Sequence, residues 1–335
     1  MRIVRSSSIS RVVAVSVMFA TSGVMHAQQS PSAKPIMLVA SSGPGGIVMP
    51  SGPFWKMQQV TATVKASQQI VRIAYRQKAL STAFFLFTNV STPITARKCL
   101  DGTIAEVQSQ IDKAAFQRLD GQSRDALGSA VETTSYLVDL GDGTQQHNLY
   151  AAIANAYTCA VMQVSSATGQ PGEDATLRAS ISAFRPSLSY TPSSVDYFVM
   201  GSLLFNPAPA SAAHYYKASL DKLPHSADAI TMRRIETDQL VMSLGMSGDL
   251  DNSRVIAGQA IASDPTYPIN YYNLACSDAE VGNAAAARLH LQQAFDRRAN
   301  VIQGEKMPDP TTDSSLIKLK RDPAFWAFVQ SLGKN

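Results

Sequence analysis

The spacing of apolar residues divides the chain into two parts near residue 190. Before that point, short runs of aromatic and β-branched residues end in turn-forming residues, a pattern typical of buried strands. The runs lie at 83–90, 134–140 and 149–164. Several alanines in the run at 149–164 leave open whether it forms one strand, two strands or a mixed segment.

Two helices are predicted among these strands. Ile104, Val107 and Ile111 recur at helical spacing behind Asp101, a candidate N-cap, and residues 175–184 form a second helical pattern. Strands and helices in this order predict an α+β domain with a small antiparallel sheet over residues 54–190.

From residue 191 onward the apolar residues recur at helical spacing to the C-terminus, which predicts an all-α part. A 34-residue unit begins at Arg234 and again at Pro268. The residues that agree between the two units are Leu240 with Leu274, Gly248 with Gly282, and Ala260 with Ala294.

These units resemble the tetratricopeptide repeat (TPR) family, whose repeats are pairs of antiparallel helices joined at a glycine turn. The second unit departs from the family pattern at its end, where Ala299 stands in place of a closing proline. A weaker unit covers residues 194–233, in which an Asn-Pro-Ala-Pro stretch at 206–209 replaces the glycine turn and predicts a longer connection between the two helices. The residues that carry the resemblance are Leu240, Gly248, Asp249, Ala260, Asp264 and Pro265 in the first unit, and Tyr272, Asn273, Leu274, Ala275, Gly282, Asn283, Ala287 and Ala294 in the second.

The resemblance implies that residues 191–335 form a TPR-like helical-hairpin stack. Asp322, Pro323 and the apolar residues after them predict a helix that caps its C-terminal end. In the family, the inner helix of each pair lines a groove that binds segments of other proteins. The implied groove residues are Ile235, Asp238, Met242, Met246, Tyr272, Cys276 and Glu280.

The two methionines of that set have a second interpretation. Methionine adapts to irregular surfaces, which suits a peptide groove. Met242 and Met246 could equally fill the core between neighbouring helices, and the sequence leaves both interpretations open.

The first residues have the pattern of a secretory signal peptide. Three arginines precede an apolar run that is too short to span a bilayer, and Ala27 ends a candidate cleavage site. Residues 1–27 are therefore predicted to be removed on export to the periplasm or the exterior. Residues 28–53 are rich in Ser, Pro and Gly, and predict a flexible linker.

Export also changes the charge of the protein. The whole chain has a net charge of +4, but without its first 27 residues the charge falls to +1. A nearly neutral protein lacks the basic field that nucleic-acid binding requires. No later run is apolar enough for a membrane span, so stable membrane insertion is not expected.

The chain has three cysteines, and an oxidising compartment favours pairing two of them. Cys99 and Cys159 both lie in the N-terminal part, whereas Cys276 lies in a repeat, so the first two are the predicted pair. Three buried thiols are the alternative. The spacings do not match a redox or zinc site.

Catalytic, cofactor-binding and metal sites are not predicted. Ser219 and Ser315 each begin a Ser-x-x-Lys pattern, but the companion motifs of acyl transferases are missing. The histidines are dispersed along the sequence.

The sequence thus predicts an exported scaffold that binds a protein or peptide. The alternative is a ligand-binding or enzymatic N-terminal domain for which the repeats serve assembly. The strand order of that domain resembles the PsbP-like domains of exported bacterial proteins.

Overall fold

The fold is taken from a computed structural model. It describes residues 37–39, 46–48, 56–65, 68–78, 81–89, 94–110, 116–118, 132–139, 143, 145–154, 158–167, 185–187 and 190–332. The predicted signal peptide and the helix predicted at 175–184 lie outside the described residues.

A seven-stranded antiparallel sheet dominates the N-terminal part. The sheet is larger than the small one predicted, because the strands at 56–65, 68–78 and 116–118 were not predicted. The run at 149–164 forms two antiparallel strands, one of the alternatives that the sequence left open. Its strands are β3 (Lys56–Lys65), β4 (Gln68–Lys78), β5 (Ser81–Asn89), β6 (Phe116–Arg118), β7 (Glu132–Asp139), β8 (Gln145–Ala154) and β9 (Thr158–Ala167). Their order across the sheet is β3-β4-β5-β9-β8-β7-β6.

Helix α1 (Ala96–Gln110) follows β5 and packs on β7, β8 and β9. It begins earlier than predicted, so Asp101 lies inside the helix and is not its cap. Thr95 is the residue that caps the first turn, since its hydroxyl accepts a hydrogen bond from the Lys98 amide at 3.2 Å.

A second, three-stranded sheet corrects the prediction of a flexible linker. It contains β1 (Met37–Val39), β2 (Gly46–Val48) and β10 (Arg185–Ser187), in the order β1-β2-β10. β1 is a short apolar run within the predicted linker, and its three side chains are all buried. Burial of three apolar side chains explains why this part of residues 28–53 is ordered.

The C-terminal part is helical, as predicted, and each helix between residues 194 and 296 packs against the next one along the chain. Two short 3-10 turns, at Ala227–Ala229 and Arg298–Asn300, occur between α-helices. The helices are α2 (Ser194–Leu204), α3 (Pro209–Lys222), α4 (Ile230–Met246), α5 (Leu250–Ser263), α6 (Pro268–Glu280), α7 (Ala284–Asp296), α8 (Ser314–Ile317) and α9 (Pro323–Leu332).

The turns of the two helix pairs α4–α5 and α6–α7 have the same geometry 34 residues apart. Gly248 has φ +84° and Gly282 has φ +79°, the left-handed region that favours glycine. The amide of the next residue donates five residues back in both turns, from Asp249 to the Leu244 carbonyl and from Asn283 to the Asp278 carbonyl, each at 2.9 Å. The same Asp249 and Asn283 side chains then cap α5 and α7.

The pair α2–α3 is joined differently. Its connection is the four residues 205–208, one residue longer than the glycine turns, and Pro209 begins α3. The longer connection predicted from the Asn-Pro-Ala-Pro stretch is therefore present. Ser193 and Asp196 form a capping box that begins α2.

The main hydrophobic core lies between the seven-stranded sheet and the first helices of the C-terminal part. Residues alternate across β8, so Leu149 and Ala151 face this core while Tyr150 and Ala152 face α1. β1 and helices α2 to α4 complete the core. Its members from these segments include Leu38, Val39, Tyr197, Met200, Tyr215, Tyr216 and Leu240.

A disulfide joins Cys99 on α1 to Cys159 on β9, the pair predicted from the sequence. It lies in the smaller core beneath α1, beside Leu100 and Tyr150. The bond closes a loop with a sequence separation of 60 residues.

Replacing both Cys99 and Cys159 by serine is expected to lower the free energy of unfolding by about 4 kcal/mol, because the unfolded chain gains loop entropy. Urea denaturation followed by circular dichroism measures the loss. Cys276→Ser is the matched control and should cost less than about 1 kcal/mol. An unchanged denaturation midpoint in the double variant would contradict a structural role for the bond.

Gly248→Ala is expected to lower the free energy of unfolding by about 1 to 2 kcal/mol, since a side chain at positive φ is strained although the space around it is open. Gly258 is the control, because it lies inside α5 without a positive φ and also has open space around it. Gly258→Ala should raise stability by about 0.5 to 1 kcal/mol. Thermal unfolding of both variants tests the pair, and a shift of the same sign in both would refute the turn assignment.

Candidate functional site

The groove residues implied by the sequence lie at equivalent positions on α4 and α6. We call this surface the inner face and define it by Ile235, Asp238, Met242 and Met246 on α4 and by the residues 34 positions later on α6. Spacings of three and four residues place each set along one side of its helix. The α6 residues are Ile269, Tyr272, Cys276 and Glu280.

The two methionines in the α4 half of the inner face are exposed to solvent. Met242 is 38% exposed and Met246 is 50% exposed, so these two side chains do not fill the core between helices. Asp238 is partly buried and accepts a hydrogen bond of 2.7 Å from the Asn273 side-chain amide on α6. This bond joins the two halves of the face.

The α6 half is covered by a C-terminal segment of the same chain. We call residues 301–318 the strap. The Tyr272 hydroxyl donates to the Asp313 carboxylate at 3.2 Å, and the Cys276 thiol donates to the same oxygen at 3.6 Å. Lys318 forms an ion pair with Glu280. The three groove residues implied for α6 therefore contact the strap.

The strap is also held at its N-terminal end. The Tyr267 hydroxyl, which belongs to a fully buried side chain just before α6, donates to both carboxylate oxygens of Glu305, at 2.8 and 3.1 Å. The Ile302 amide donates to the same carboxylate at 3.0 Å. Arg234 lies over the Tyr267 ring and forms an ion pair with Asp264, which fixes the loop before α6.

The carboxylates at this face influence one another. Burial raises the pKa of Asp238 to about 6, the charge of Glu305 adds to that rise, and the hydrogen bond from Asn273 opposes it. Burial and the neighbouring Asp313 likewise raise the pKa values of Cys276 and Tyr272 well above their ordinary range. The thiol and the phenol are therefore donors at neutral pH.

A fully buried carboxylate ties α6 to its neighbouring helices. Asp278 has no exposed surface and accepts from Arg254 on α5 at 3.1 Å and from His290 on α7 at 2.7 Å. Two polar partners from two helices offset its desolvation. The two contacts thus join α6 to both α5 and α7.

Glu236 lies on a different side of α4, against α3. Its side chain is 1% exposed, and its Oε2 atom has no hydrogen-bond partner. Burial raises its pKa to about 7, while the hydroxyl of Ser219 and the charge of Arg233 oppose the rise. This group is a source of pH-dependent stability within the helix stack.

The serines of the two Ser-x-x-Lys patterns both take part in hydrogen bonds within the helical part. Ser219 is buried in α3 and donates to the Ser194 carbonyl at 2.7 Å. Ser315 lies in the first turn of α8, where its amide donates to Asp313 at 2.9 Å. Among the described residues, His, Cys, Asp and Glu side chains do not form a group of three that could hold a metal ion.

Sequence reasoning missed the strap contacts of Tyr267, Glu305 and Asp313. One signal was present, because glycine and two prolines at 304–310 break the helical spacing and place non-helical chain after α7. The course of that segment over α6 could not be deduced from composition.

None of the helices in the described ranges has both the length and the apolar character needed to cross a bilayer. Neither a protein-family model nor a curated protein sequence matches this chain.

Glu236→Gln is expected to stabilise the protein by about 2 to 3 kcal/mol at pH 8 and to have little effect at pH 4. The folded pKa is about 7 and the ordinary value is 4.5, so the stability cost of this group appears as pH rises between those values. Urea denaturation at both pH values measures the difference. Asp296→Asn, at an exposed carboxylate on α7, is the control, and an equal gain at pH 4 would contradict the assignment.

Proposed function

We propose that this chain is an exported, tetratricopeptide-type scaffold that holds a segment of another protein on the α4 half of the inner face. The observation that carries the proposal is the pair Met242 and Met246, which stay exposed on one side of a packed helix. Flexible thioether side chains at such a site can adapt to apolar side chains of a partner.

The repeated architecture supports the same function. Helices α4 to α7 recur with a 34-residue period and carry equivalent glycine turns. In the family that these repeats resemble, one helix of each pair faces a concave groove. The hydrogen bond from Asn273 to Asp238 joins α6 to α4. A rigid face of this kind lowers the entropy cost of binding a segment.

The side chains of the α4 half indicate which kind of partner segment would bind there. Two half-exposed methionines provide apolar contact, and the partly buried Asp238 carboxylate is an acceptor at neutral pH. A partner segment with apolar anchors and one hydrogen-bond donor or cation beside them matches this surface. The signal-peptide pattern of residues 1–27 supports an encounter in the cell envelope or outside the cell.

The Met242→Ser/Met246→Ser variant of the full chain is expected to lose partner binding by about tenfold or more, because each serine removes apolar contact area. Affinity capture from an envelope extract, with captured proteins identified by mass spectrometry, compares it with the unmodified chain. Proteins that bind the unmodified chain and are lost with this variant are the expected partners.

Val255→Ser/Leu289→Ser is the matched control. These residues occupy equivalent positions on α5 and α7 and are 53% and 56% exposed, so the control removes a similar apolar area outside the inner face. The control should retain the captured proteins. An identical set of proteins captured by all three chains would refute the proposed face.

A further inference from the structure

The two halves of the inner face are equivalent in sequence position and different in occupancy. Met242 and Met246 are open, whereas Cys276 and Glu280, 34 residues later, contact the strap. The strap contacts follow the direction of α6, from Tyr267 before its first turn to Glu280 at its last residue. One segment of the chain thus runs along the surface at which a partner segment would bind.

The contacts with the strap use a simple chemical pattern. Two tyrosine hydroxyls donate to two carboxylates, Glu305 and Asp313, that are eight residues apart in the strap. A carboxylate of α6, Glu280, then pairs with the cation of Lys318. Hydrogen bonds to charged acceptors are stronger than neutral ones, so this pattern selects acidic groups at two positions and a basic group at the third.

The strap between these contacts has little regular structure. Residues 305–309 belong to neither a helix nor a strand, and Lys306, Pro308 and Asp309 are exposed. The backbone hydrogen bonds from Glu305 to Ile302 and from Thr312 to Asp309 are local to the strap. Side chains therefore join the strap to the α6 region through the tyrosine and lysine contacts, and Leu316 is buried against the α6–α7 core.

We propose that the inner face of α6 is a binding site for an extended acidic polypeptide segment, and that the strap occupies it as a competitor within the same chain. The inference rests on the proposed function only in taking the inner face as the surface for partners. Release of the strap would expose Tyr272 and Cys276 beside the open methionines. The face available to a partner would then extend over both helices.

A competitor in the same chain has a high effective concentration, in the millimolar range for a short connection, so the unmodified protein should bind an added copy of the segment poorly. Glu305→Gln/Asp313→Asn keeps the shape of the strap and removes both charged acceptors. This full-length variant should bind a fluorescently labelled peptide of residues 301–320 at least about tenfold more tightly than the unmodified protein. Fluorescence anisotropy measures the two dissociation constants.

Two controls separate this site from other binding. A peptide that itself carries Glu305→Gln and Asp313→Asn should lose the added affinity. Adding Tyr267→Phe/Tyr272→Phe to the variant chain should also abolish it, because the donors are then missing. Circular dichroism confirms that each chain is folded.

Equal affinity of the labelled peptide for the variant and the unmodified chain, including no binding to either, overturns the proposal. Retained affinity after the tyrosine changes also overturns it. A second measurement needs no substitution: in the unmodified protein, amide hydrogen exchange of residues 301–313 should become faster at saturating peptide, and unchanged exchange would contradict displacement. These outcomes do not depend on the captured partners, so failure here leaves the α4 surface to be judged by its own experiment.

Discussion

The C-terminal part of this protein depends on a backbone conformation that only glycine adopts without strain. At Gly248 and Gly282 the chain turns with φ near +80°, and a hydrogen bond from the following amide closes the turn. The same turn delivers Asp249 and Asn283 to the positions where they cap the next helix. A single conformational constraint thus ends one helix, begins another and sets the angle between them.

The arrangement of the inner face is a consequence of that constraint. Because the turns are equivalent, α4 and α6 lie at equivalent places in consecutive pairs and present side chains of the same sequence register. The difference between the two helices comes from the segments that come after each pair. After α5 a further helix pair continues the stack, whereas after α7 an irregular segment returns along α6 and places carboxylates against tyrosines.

The sequence allowed much of the helical part to be predicted, since glycine turns, N-caps and apolar spacing are local signals. Asp322 caps α9 as expected, through bonds of 3.0 Å to the amides of Ala324 and Phe325. The burial of β1 could not be predicted, because three apolar residues among Ser, Pro and Gly are too few to reveal a tertiary partner. The strap contacts were missed for a related reason: Glu305 and Asp313 are ordinary surface residues until distant tyrosines are placed beside them.

The buried Tyr215 on α3 donates a hydrogen bond of 2.9 Å to the carbonyl of Val39, which lies 176 residues earlier in the chain. Order of synthesis and order of assembly therefore differ for this protein. The ribosome releases β1 long before it synthesises α3, which helps to bury that strand. Until then, the apolar side chains of β1 lack this part of their core. The core that contains β1 is therefore completed only after α3 has been synthesised, and folding of the N-terminal part depends on segments from the C-terminal part.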